Sequence, residues 1–251
     1  MELRDKTAII TGSSGRLGGA IARALAEAGC NCVCHYNTNK EGAEELVEQI
    51  GRIGVKALAV GADLTEPEQI SGLFEKASAF GTPRVLINSA GVFSRRRLAD
   101  VTFEEAQRVL NLNLVAAILT SRAFAKIIED KFGGTESVVG KIVNISDVGG
   151  VRPWAEYVVY CSSKAGLIGA TKALAKELAP SICVNSVAPG IMTWPSPPDV
   201  RRNESEKRRQ LSFIPVGRIA EMSEVTAAIL FLLRNDYVTG QVLNVDGGRC
   251  I

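Results

Sequence analysis

The chain has 251 residues, of which 46% are hydrophobic and 22% charged, values typical of one large globular domain. The 29 Lys and Arg residues against 27 Asp and Glu residues give a net charge of +2, too near balance for a protein that binds nucleic acid or a membrane surface. No uninterrupted apolar run reaches the ~18 residues of a membrane-spanning helix, and the N-terminal residues do not read as a signal peptide. We therefore expect a cytoplasmic protein.

Apolar runs rich in β-branched residues alternate with longer stretches of helical periodicity. The predicted strands are Thr7–Ile10, Cys32–His35, Ala57–Val60, Val85–Asn88, Lys141–Ile145, Ile182–Asn185 and Gln241–Val245. The predicted helices are Arg16–Ala28, Asn39–Ile53 with Thr38 as its cap, Glu66–Ala79, Thr102–Asp130, Tyr157–Leu178 and Ser223–Leu233. This alternation predicts an α/β fold, a doubly wound parallel seven-stranded sheet in a single domain over residues 1–251, with a looser segment at 192–215.

The six cysteines fit a reduced, intracellular protein. Cys30, Cys32 and Cys34 alternate along one predicted strand, so their side chains share a face and cannot bridge one another without breaking that strand. A metal site would need further ligands, and His35 is the single histidine of the sequence. We therefore expect buried thiols and no metal.

A glycine-rich turn, TGSSGRLG at Thr11–Gly18, separates the first strand from the first helix. Glycines permit a tight turn and a close approach of the backbone to a pyrophosphate, which the N-terminus of the following helix stabilises. Placed between a strand and a helix, such a turn indicates a dinucleotide site. A purely structural turn is the alternative that this segment alone leaves open.

The end of the second strand bears on the choice between NAD and NADP. An acidic side chain there would bind a free ribose 2′-hydroxyl and repel a 2′-phosphate, but residues 35–40 read HYNTNK and contain no acid. Asn37, Thr38 and Asn39 can donate hydrogen bonds to a phosphate, and Arg16 and Lys40 add positive charge. The sequence therefore favours NADPH/NADP+. The alternative for His35 is a residue that merely ends a strand.

The clearest catalytic pattern is Tyr160 followed by Lys164, one helical turn apart on one face. A nearby ammonium favours the phenolate and moves the pKa of a phenol from ~10 toward working pH, so Tyr160 becomes a usable acid or base. Taken alone, the same spacing is more often a surface pair. Here further polar motifs end other strands, and ligands of such sheets bind at those strand ends.

Together with the turn and the Tyr160/Lys164 pair, four more segments complete a family pattern. They are Asn88-Ser89-Ala90-Gly91, Asn113, Val187-Ala188-Pro189-Gly190 and Asn244-Val245-Asp246-Gly247-Gly248. The chain resembles a short-chain dehydrogenase/reductase over essentially its whole length. The resemblance implies a Rossmann-type fold, an NAD(P)(H) cofactor, a small-molecule substrate and a homo-oligomer, commonly a tetramer formed through the two long helices.

The resemblance also implies residue roles. Tyr160 would be the proton donor, Lys164 would bind the nicotinamide ribose and lower the pKa of Tyr160, and Asn113 would hold a water of the proton relay, with Asn111 as the alternative. The implied cofactor-binding residues, of which Asp63 and Asn88 border the adenosine, are Gly12, Ser14, Arg16, Leu17, His35, Tyr36, Asn37, Thr38, Asp63, Leu64, Asn88, Ala90, Gly91, Tyr160, Lys164, Pro189, Gly190 and Ile191.

Two departures from the family pattern narrow the substrate. Thirteen residues before Tyr160, where the common pattern has a serine, the chain has Asp147; Ser146 is one residue further away, and a one-residue shift would make Ser146 catalytic. Adjacent residues of a strand point to opposite faces, so only one of the two can face the site. The second departure is Arg16, in place of the middle glycine of the turn. Both departures resemble the pteridine reductases and the dihydromonapterin reductases.

The residues expected to bind substrate are Phe93, Asp147, Tyr160 and Trp194. Phe93 matches the phenylalanine on which those reductases stack a pterin, and reduction of a C=N bond needs a hydride at carbon and a proton at nitrogen. The alternatives are that Phe93 is core, Arg16 a solvated helix-start residue and Asp147 a surface residue. The leading expectation is an NADPH-dependent pterin reductase.

Two other functions stay open from the sequence. One is a carbonyl reductase of the same fold, acting on a 3-oxoacyl thioester, a sugar or an alcohol; the other is a non-catalytic NADP(H)-binding sensor, against which the intact acid–base residues argue. The basic segments Arg95–Arg97 and Arg201–Arg209 lack interleaved aromatic residues, so we read them as solvated loops without nucleic-acid function. In this family the second lies in a loop that covers the substrate, where Arg201 and Arg202 could meet an acidic substrate tail.

Overall fold

A computed structural model of the chain describes residues 1–133, 135, 137–194 and 204–251. Its centre is one seven-stranded sheet in the order β3-β2-β1-β4-β5-β6-β7, with every pairing parallel. The strands are β1 (Thr7–Ile10), β2 (Asn31–Tyr36), β3 (Ala57–Gly61), β4 (Pro83–Asn88), β5 (Gly140–Ile145), β6 (Ile182–Pro189) and β7 (Val242–Val245). The predicted fold class is confirmed.

Helices cover both faces of this sheet. They are α1 (Arg16–Glu27), α2 (Lys40–Ile53), α3 (Pro67–Phe80), α4 (Phe103–Leu110), α5 (Ala116–Phe132), α6 (Val148–Val151), α7 (Val158–Glu177), α8 (Glu204–Ser212) and α9 (Met222–Arg234). Neighbouring residues of β1 point to opposite faces: Ile10 joins the core under α1 and α9, and Ile9 joins the core under α3 and α5. Burial on both faces explains why the strands are continuously apolar.

Three details differ from the sequence prediction. The cap of α2 is Asn39, whose side chain accepts a hydrogen bond from Gly42 N, and not Thr38. The long helix expected from Thr102 to Asp130 is interrupted by a π-helical turn at Asn111–Val115. The segment expected to be loose contains α8, while residues 195–203, including Arg201 and Arg202, lie outside the described part of the chain.

Among the described residues, the helical run Phe103–Phe132 is long and apolar enough to cross a membrane by length and composition. Part of its apolar surface is buried within this domain, because Ala116, Phe124 and Ile128 lie in the core. The cysteines on β2 and just before it, Cys30, Cys32 and Cys34, are buried and unbridged, as expected.

The sheet order places β1 between β2 and β4, so the chain winds in opposite directions from this point. The carboxyl ends of β1 and β4 lie side by side there, in the register Ile10 beside Ile87. A crevice at such a reversal is where doubly wound sheets bind their ligands. The remaining site residues follow β5 and β6 at the same edge.

Candidate active site

The turn after β1 is shaped by glycines that no other residue could replace without displacing backbone. Gly12 has φ +66°, and a Cβ added there would lie 2.8 Å from Ala90 Cα. A Cβ at Gly18 would lie 2.3 Å from the Gly12 carbonyl oxygen. The turn and the start of α1 therefore lie against each other through bare backbone, a cradle that fits the phosphates of a dinucleotide.

Buried polar side chains hold this turn in place. Thr11 Oγ1 accepts hydrogen bonds from the backbone N–H groups of Ser89 and Ala90, at 2.9 and 3.0 Å. His35 Nδ1 accepts from Gly12 N at 3.0 Å, and His35 Nε2 lies 2.9 Å from the Ala62 carbonyl oxygen. This geometry requires the Nε2–H tautomer, and burial lowers the pKa of His35.

His35, predicted as a cofactor contact, has its side chain turned into the protein, and its contact with a cofactor stays a prediction. Its side chain is 2% exposed and supports the turn from beneath. The Asn88 side chain is likewise enclosed, since it donates to Asn144 Oδ1 at 2.9 Å and accepts from Thr120 Oγ1 at 2.8 Å. Leu64 is also buried. The side chains of these three predicted cofactor residues are therefore buried, so a contact with the cofactor, which stays a prediction, would fall to their backbone.

Other predicted cofactor residues are at least partly accessible to solvent. The exposed or half-buried ones are Gly12, Ser14, Arg16, Leu17, Tyr36, Asn37, Thr38, Asp63, Ala90, Gly91, Gly190 and Ile191. Asp63 accepts hydrogen bonds from Thr65 N and Oγ1 at 2.8 and 2.7 Å, and these bonds lower the pKa of its carboxyl group. Pro189 is buried at the end of β6.

Tyr160 and Asp147 are in direct contact. The Tyr160 hydroxyl donates a hydrogen bond to Asp147 Oδ2 at 2.8 Å, and Asp147 Oδ1 accepts from Gly149 N at 2.6 Å. Asp147 is brought there because it caps the short helix α6, and Tyr160 because it lies in the first turn of α7. Two residues thirteen positions apart in the chain are thus joined by one hydrogen bond.

Ser146, the alternative to Asp147, does not face this site. Its side chain is buried and lies 2.7 Å from Ser186 Oγ, and it donates to the Val187 carbonyl oxygen at 3.1 Å. This places Ser146 between β5 and β6, on the opposite side of the backbone from Asp147. Of the two candidates left open by the sequence, Asp147 is the one that contacts Tyr160.

The electrostatics of the pair favour a protonated Tyr160. Burial and the neighbouring Asp147 carboxylate raise the pKa of the Tyr160 phenol well above its usual value. Burial raises the pKa of Asp147 as well, against the hydrogen bond from Gly149. In this arrangement burial and the carboxylate set the direction of the shift, and the lowering of the Tyr160 pKa by Lys164 stays a prediction.

Lys164 is anchored close to the pair. Its ammonium donates to the Ile145 carbonyl oxygen at 2.8 Å, and burial lowers its pKa to about 8. Asn113, inside the π-helical turn, accepts from Val92 N at 2.8 Å and donates to Ser163 Oγ at 3.1 Å. Asn113 is buried, and its hydrogen bonds link the π-helical turn to α7. This network favours Asn113 over Asn111.

Aromatic rings form the wall beside Tyr160. The Phe93 ring is 55% exposed, and its centroid lies 4.8 Å from that of Tyr160 and 5.0 Å from that of Tyr157. The expectation that Phe93 reaches the substrate space fits this exposure, and its alternative as a core residue does not. A cavity of about 970 Å³ opens in front of these rings.

Sequence reasoning missed several residues of this cavity. The described residues that line it include Trp154, Tyr157, Phe213 and Arg249, but not Trp194, which had been expected to bind substrate. Trp154 arrives from the loop after α6, and Phe213 follows α8. Arg249 comes from the C-terminal segment. Its only sequence signal is a charge three residues after Asp246, which does not reveal where the chain returns.

A family model described as enoyl-(acyl carrier protein) reductase matches residues 13–249. The chain is 35% identical over 255 residues to the 3beta-hydroxysteroid dehydrogenase 1 of Eggerthella lenta, covering all of this chain and 95% of that protein. It is 34% identical over 251 residues to a 3-oxoacyl-[acyl-carrier-protein] reductase of Synechocystis, covering 98% and 97%. The chain belongs to the short-chain dehydrogenase/reductase family.

A solved structure gives the same answer for the fold. A short chain dehydrogenase from Burkholderia cenocepacia, crystallised with NADP, is 30% identical, superimposes with a TM-score of 0.89 and is covered over the full length of both chains. The protein is therefore an oxidoreductase with the short-chain dehydrogenase/reductase fold, which confirms the predicted enzyme class. The names of the two relatives refer to oxo and hydroxy groups, so the pterin reductase branch is not what these comparisons support.

Proposed function

We propose that the chain is an NADPH-dependent carbonyl reductase, which converts an oxo group into a hydroxyl group. The observation that carries this proposal is the Tyr160 hydroxyl, hydrogen-bonded to buried Asp147 and facing a cavity of about 970 Å³. A phenol whose pKa is raised keeps its proton, and reduction of a carbonyl consumes one. The relatives named for oxo and hydroxy compounds support the same substrate class.

NADPH is the cofactor we propose, because its adenosine end would meet a segment without acids. Asn37, Thr38 and Asn39 are exposed after β2, and Arg16 is exposed at the start of α1. These side chains can bind a 2′-phosphate, while the glycine turn accommodates the pyrophosphate. When bound, NADPH supplies the hydride.

The chain's own residues handle the proton and the substrate's orientation. Tyr160 donates its proton to the substrate oxygen, and for this step its single hydroxyl hydrogen turns towards the substrate from Asp147 Oδ2, which accepts it in the free protein. The hydrogen bond to the Ile145 carbonyl oxygen holds the Lys164 ammonium close to the pair. The rings of Phe93 and Tyr157 exclude water from one side of the cavity.

Pterin reduction is the second candidate, favoured by the Asp147–Tyr160 contact itself. A carboxyl group can pair with the amino-pyrimidine edge of a pterin or relay a proton to its ring nitrogen, which a serine hydroxyl does less well. The exposed Phe93 ring offers a surface on which a flat heterocycle could stack.

Steady-state NADPH oxidation distinguishes the two candidates. We would assay an acetoacetyl thioester beside dihydrobiopterin and dihydrofolate, with NADH as the cofactor control. We expect turnover of the thioester or another ketone, and D147S should keep or raise it. Turnover confined to the pterins and lost in D147S would establish the second candidate. Faster oxidation of NADH than of NADPH would contradict the cofactor proposal.

We also propose a cytoplasmic homotetramer. The helices that the family resemblance assigns to subunit contacts expose Phe103 on α4, Val115 in the π-helical turn, Ile118 on α5 and Val158 on α7. Exposed apolar side chains on neighbouring helices are typical of a subunit interface. Light scattering coupled to gel filtration should give four times the chain mass of 26.8 kDa, and a monomer would contradict the proposal.

A further inference from the structure

The C-terminal segment brings Arg249 into the wall of the cavity that Tyr160 faces. Its Nη2 donates to Gln210 Oε1 at 2.7 Å and its Nη1 to the Gln210 carbonyl oxygen at 3.3 Å. The guanidinium lies 6.0 Å from the centre of the Trp154 ring and 5.9 Å from that of Phe213. The side chain is therefore fixed by α8 and by two aromatic rings, and it is not a freely moving surface charge.

The other arginines that line the cavity are paired with carboxylates. Arg95 binds Glu156, and Arg209 binds Glu206 through Nε at 2.8 Å and Nη2 at 2.9 Å. Arg249 makes no ion pair with a carboxylate in the described part of the chain, because its hydrogen-bond acceptor is the neutral residue Gln210. Among the described cavity arginines, its charge is the one left for a ligand.

The guanidinium also keeps donors to offer. An arginine carries five N–H groups in a planar fork, and the two hydrogen bonds to Gln210 occupy two of them. Asp147 is near enough for its charge to act on Arg249, but the Asp147 oxygens already accept from Tyr160 and Gly149. A partly buried guanidinium without its own carboxylate is a typical binding group for an oxyanion.

We propose that Arg249 forms a substrate subsite for an oxyanion, a carboxylate or a phosphate, so that this enzyme reduces acid-bearing substrates. The inference rests on the proposed reductase function. Tyr160 takes the reacting group and Arg249 the acidic group of the same molecule, while Trp154 and Tyr157 contact the part between them. The aromatic walls favour a flat connecting part.

Calorimetric titration of the NADP+ complex tests the subsite without turnover. The probes are 4-acetylbenzoate, 4-acetylphenyl phosphate and the neutral 4-acetylbenzamide, which share an aryl ketone. We expect one anion to bind roughly ten- to a hundredfold more tightly than the amide, as for a charge-assisted hydrogen bond. The tighter of the two anions identifies carboxylate or phosphate as the natural group.

The matched variants are R249M, R249K and R209M. R249M should bring the ratio of anion to amide affinity close to one, and R249K should keep part of the preference, which guards against misfolding of R249M. R209M removes the same charge from the same cavity and should keep the preference. Equal binding of anions and amide by the unaltered protein, no binding of either anion, or equal loss in R209M and R249M would overturn the subsite.

The same set separates this inference from the proposed function. One outcome is that the protein prefers anions through Arg249 but oxidises NADPH with none of the acceptors tested. That outcome would contradict the proposed reductase function and support the subsite. Turnover of 4-acetylbenzoate and 4-acetylbenzamide with the same KM would support the reductase function and contradict the subsite. If turnover is seen, R249M should raise the KM of the preferred anion and leave kcat within a few-fold.

Discussion

The turn after β1 and the cavity around Tyr160 meet at the same edge of the sheet, but different contacts hold them. In the turn, backbone N–H groups are bound by the buried side chains of Thr11 and His35, and glycines leave no room for further atoms. In the cavity, aromatic rings and charged side chains come from four separate parts of the chain, around residues 93–95, 147–160, 206–213 and 249. A cofactor that many enzymes share can be bound by a fixed backbone turn. The substrate differs from one enzyme to the next, so its site is built from side chains that differ between enzymes of the same fold.

The largest expected effect is on the cavity side. Replacing Tyr160 with Phe removes the proton donor and keeps the ring, so kcat should fall about 10²- to 10⁴-fold while NADPH affinity stays near its original value. Y157F is the matched control, because the Tyr157 ring packs on Phe93 and Trp154 in the same wall. Steady-state kinetics and NADPH titration measure both. A Y160F enzyme within tenfold of the unaltered kcat would contradict the role of Tyr160.

The next effect is on the turn. In G18A the new Cβ would lie 2.3 Å from the Gly12 carbonyl oxygen, so backbone must shift, the free energy of unfolding should fall by about 1–3 kcal/mol and NADPH should bind more weakly. Gly72, within α3, has no atom within 4 Å of an added Cβ, so G72A should raise the free energy of unfolding by about 0.5–1 kcal/mol. Urea unfolding and NADPH titration compare the two. Equal effects of G18A and G72A would show that the turn is not tightly packed.

A smaller effect comes from His35, the single histidine of the chain. Burial lowers its folded-state pKa, so below the unfolded value near 6.5 the unfolded chain takes up a proton that the folded chain does not. The free energy of unfolding should therefore keep its full value above pH ~6.5 and decrease as the pH falls toward ~5.5. The decrease should be steeper than in H35Q. Unfolding at these two pH values tests this. Identical slopes for the two proteins would contradict it.

The same contrast explains how much the sequence could predict. The alternation of strands and helices, the glycine turn and the pairing of Tyr160 with Lys164 follow from local patterns, because periodicity and short spacings can be seen directly in the sequence. Asp147 could be found by counting back from Tyr160, and strand alternation left only one of Ser146 and Asp147 for the site. These predictions depend on neighbours in the chain.

The remaining features depend on contacts between distant segments. His35 binds both Gly12 and Ala62, which requires three neighbouring strand ends, and a strand-end pattern does not distinguish a cofactor contact from a support. Arg249 and Trp154 reach the cavity through the path of the C-terminal segment and of the loop after α6. The pKa of Tyr160 depends on burial and on the neighbouring Asp147 carboxylate, and the sequence pattern gives the strength of neither effect.

The pH dependence of NADPH oxidation in the unaltered enzyme and in D147N tests the central claim most directly. Reduction needs a protonated Tyr160, so activity should fall as pH rises through the pKa of Tyr160, and the Asp147 carboxylate raises that pKa. The isosteric amide that D147N introduces carries no charge and can accept one of the two hydrogen bonds that the Asp147 oxygens accept from Tyr160 and Gly149. The alkaline limb of kcat/KM should therefore move to lower pH in D147N. A limb that stays in place or moves to higher pH would contradict the Asp147–Tyr160 pair as the source of the proton.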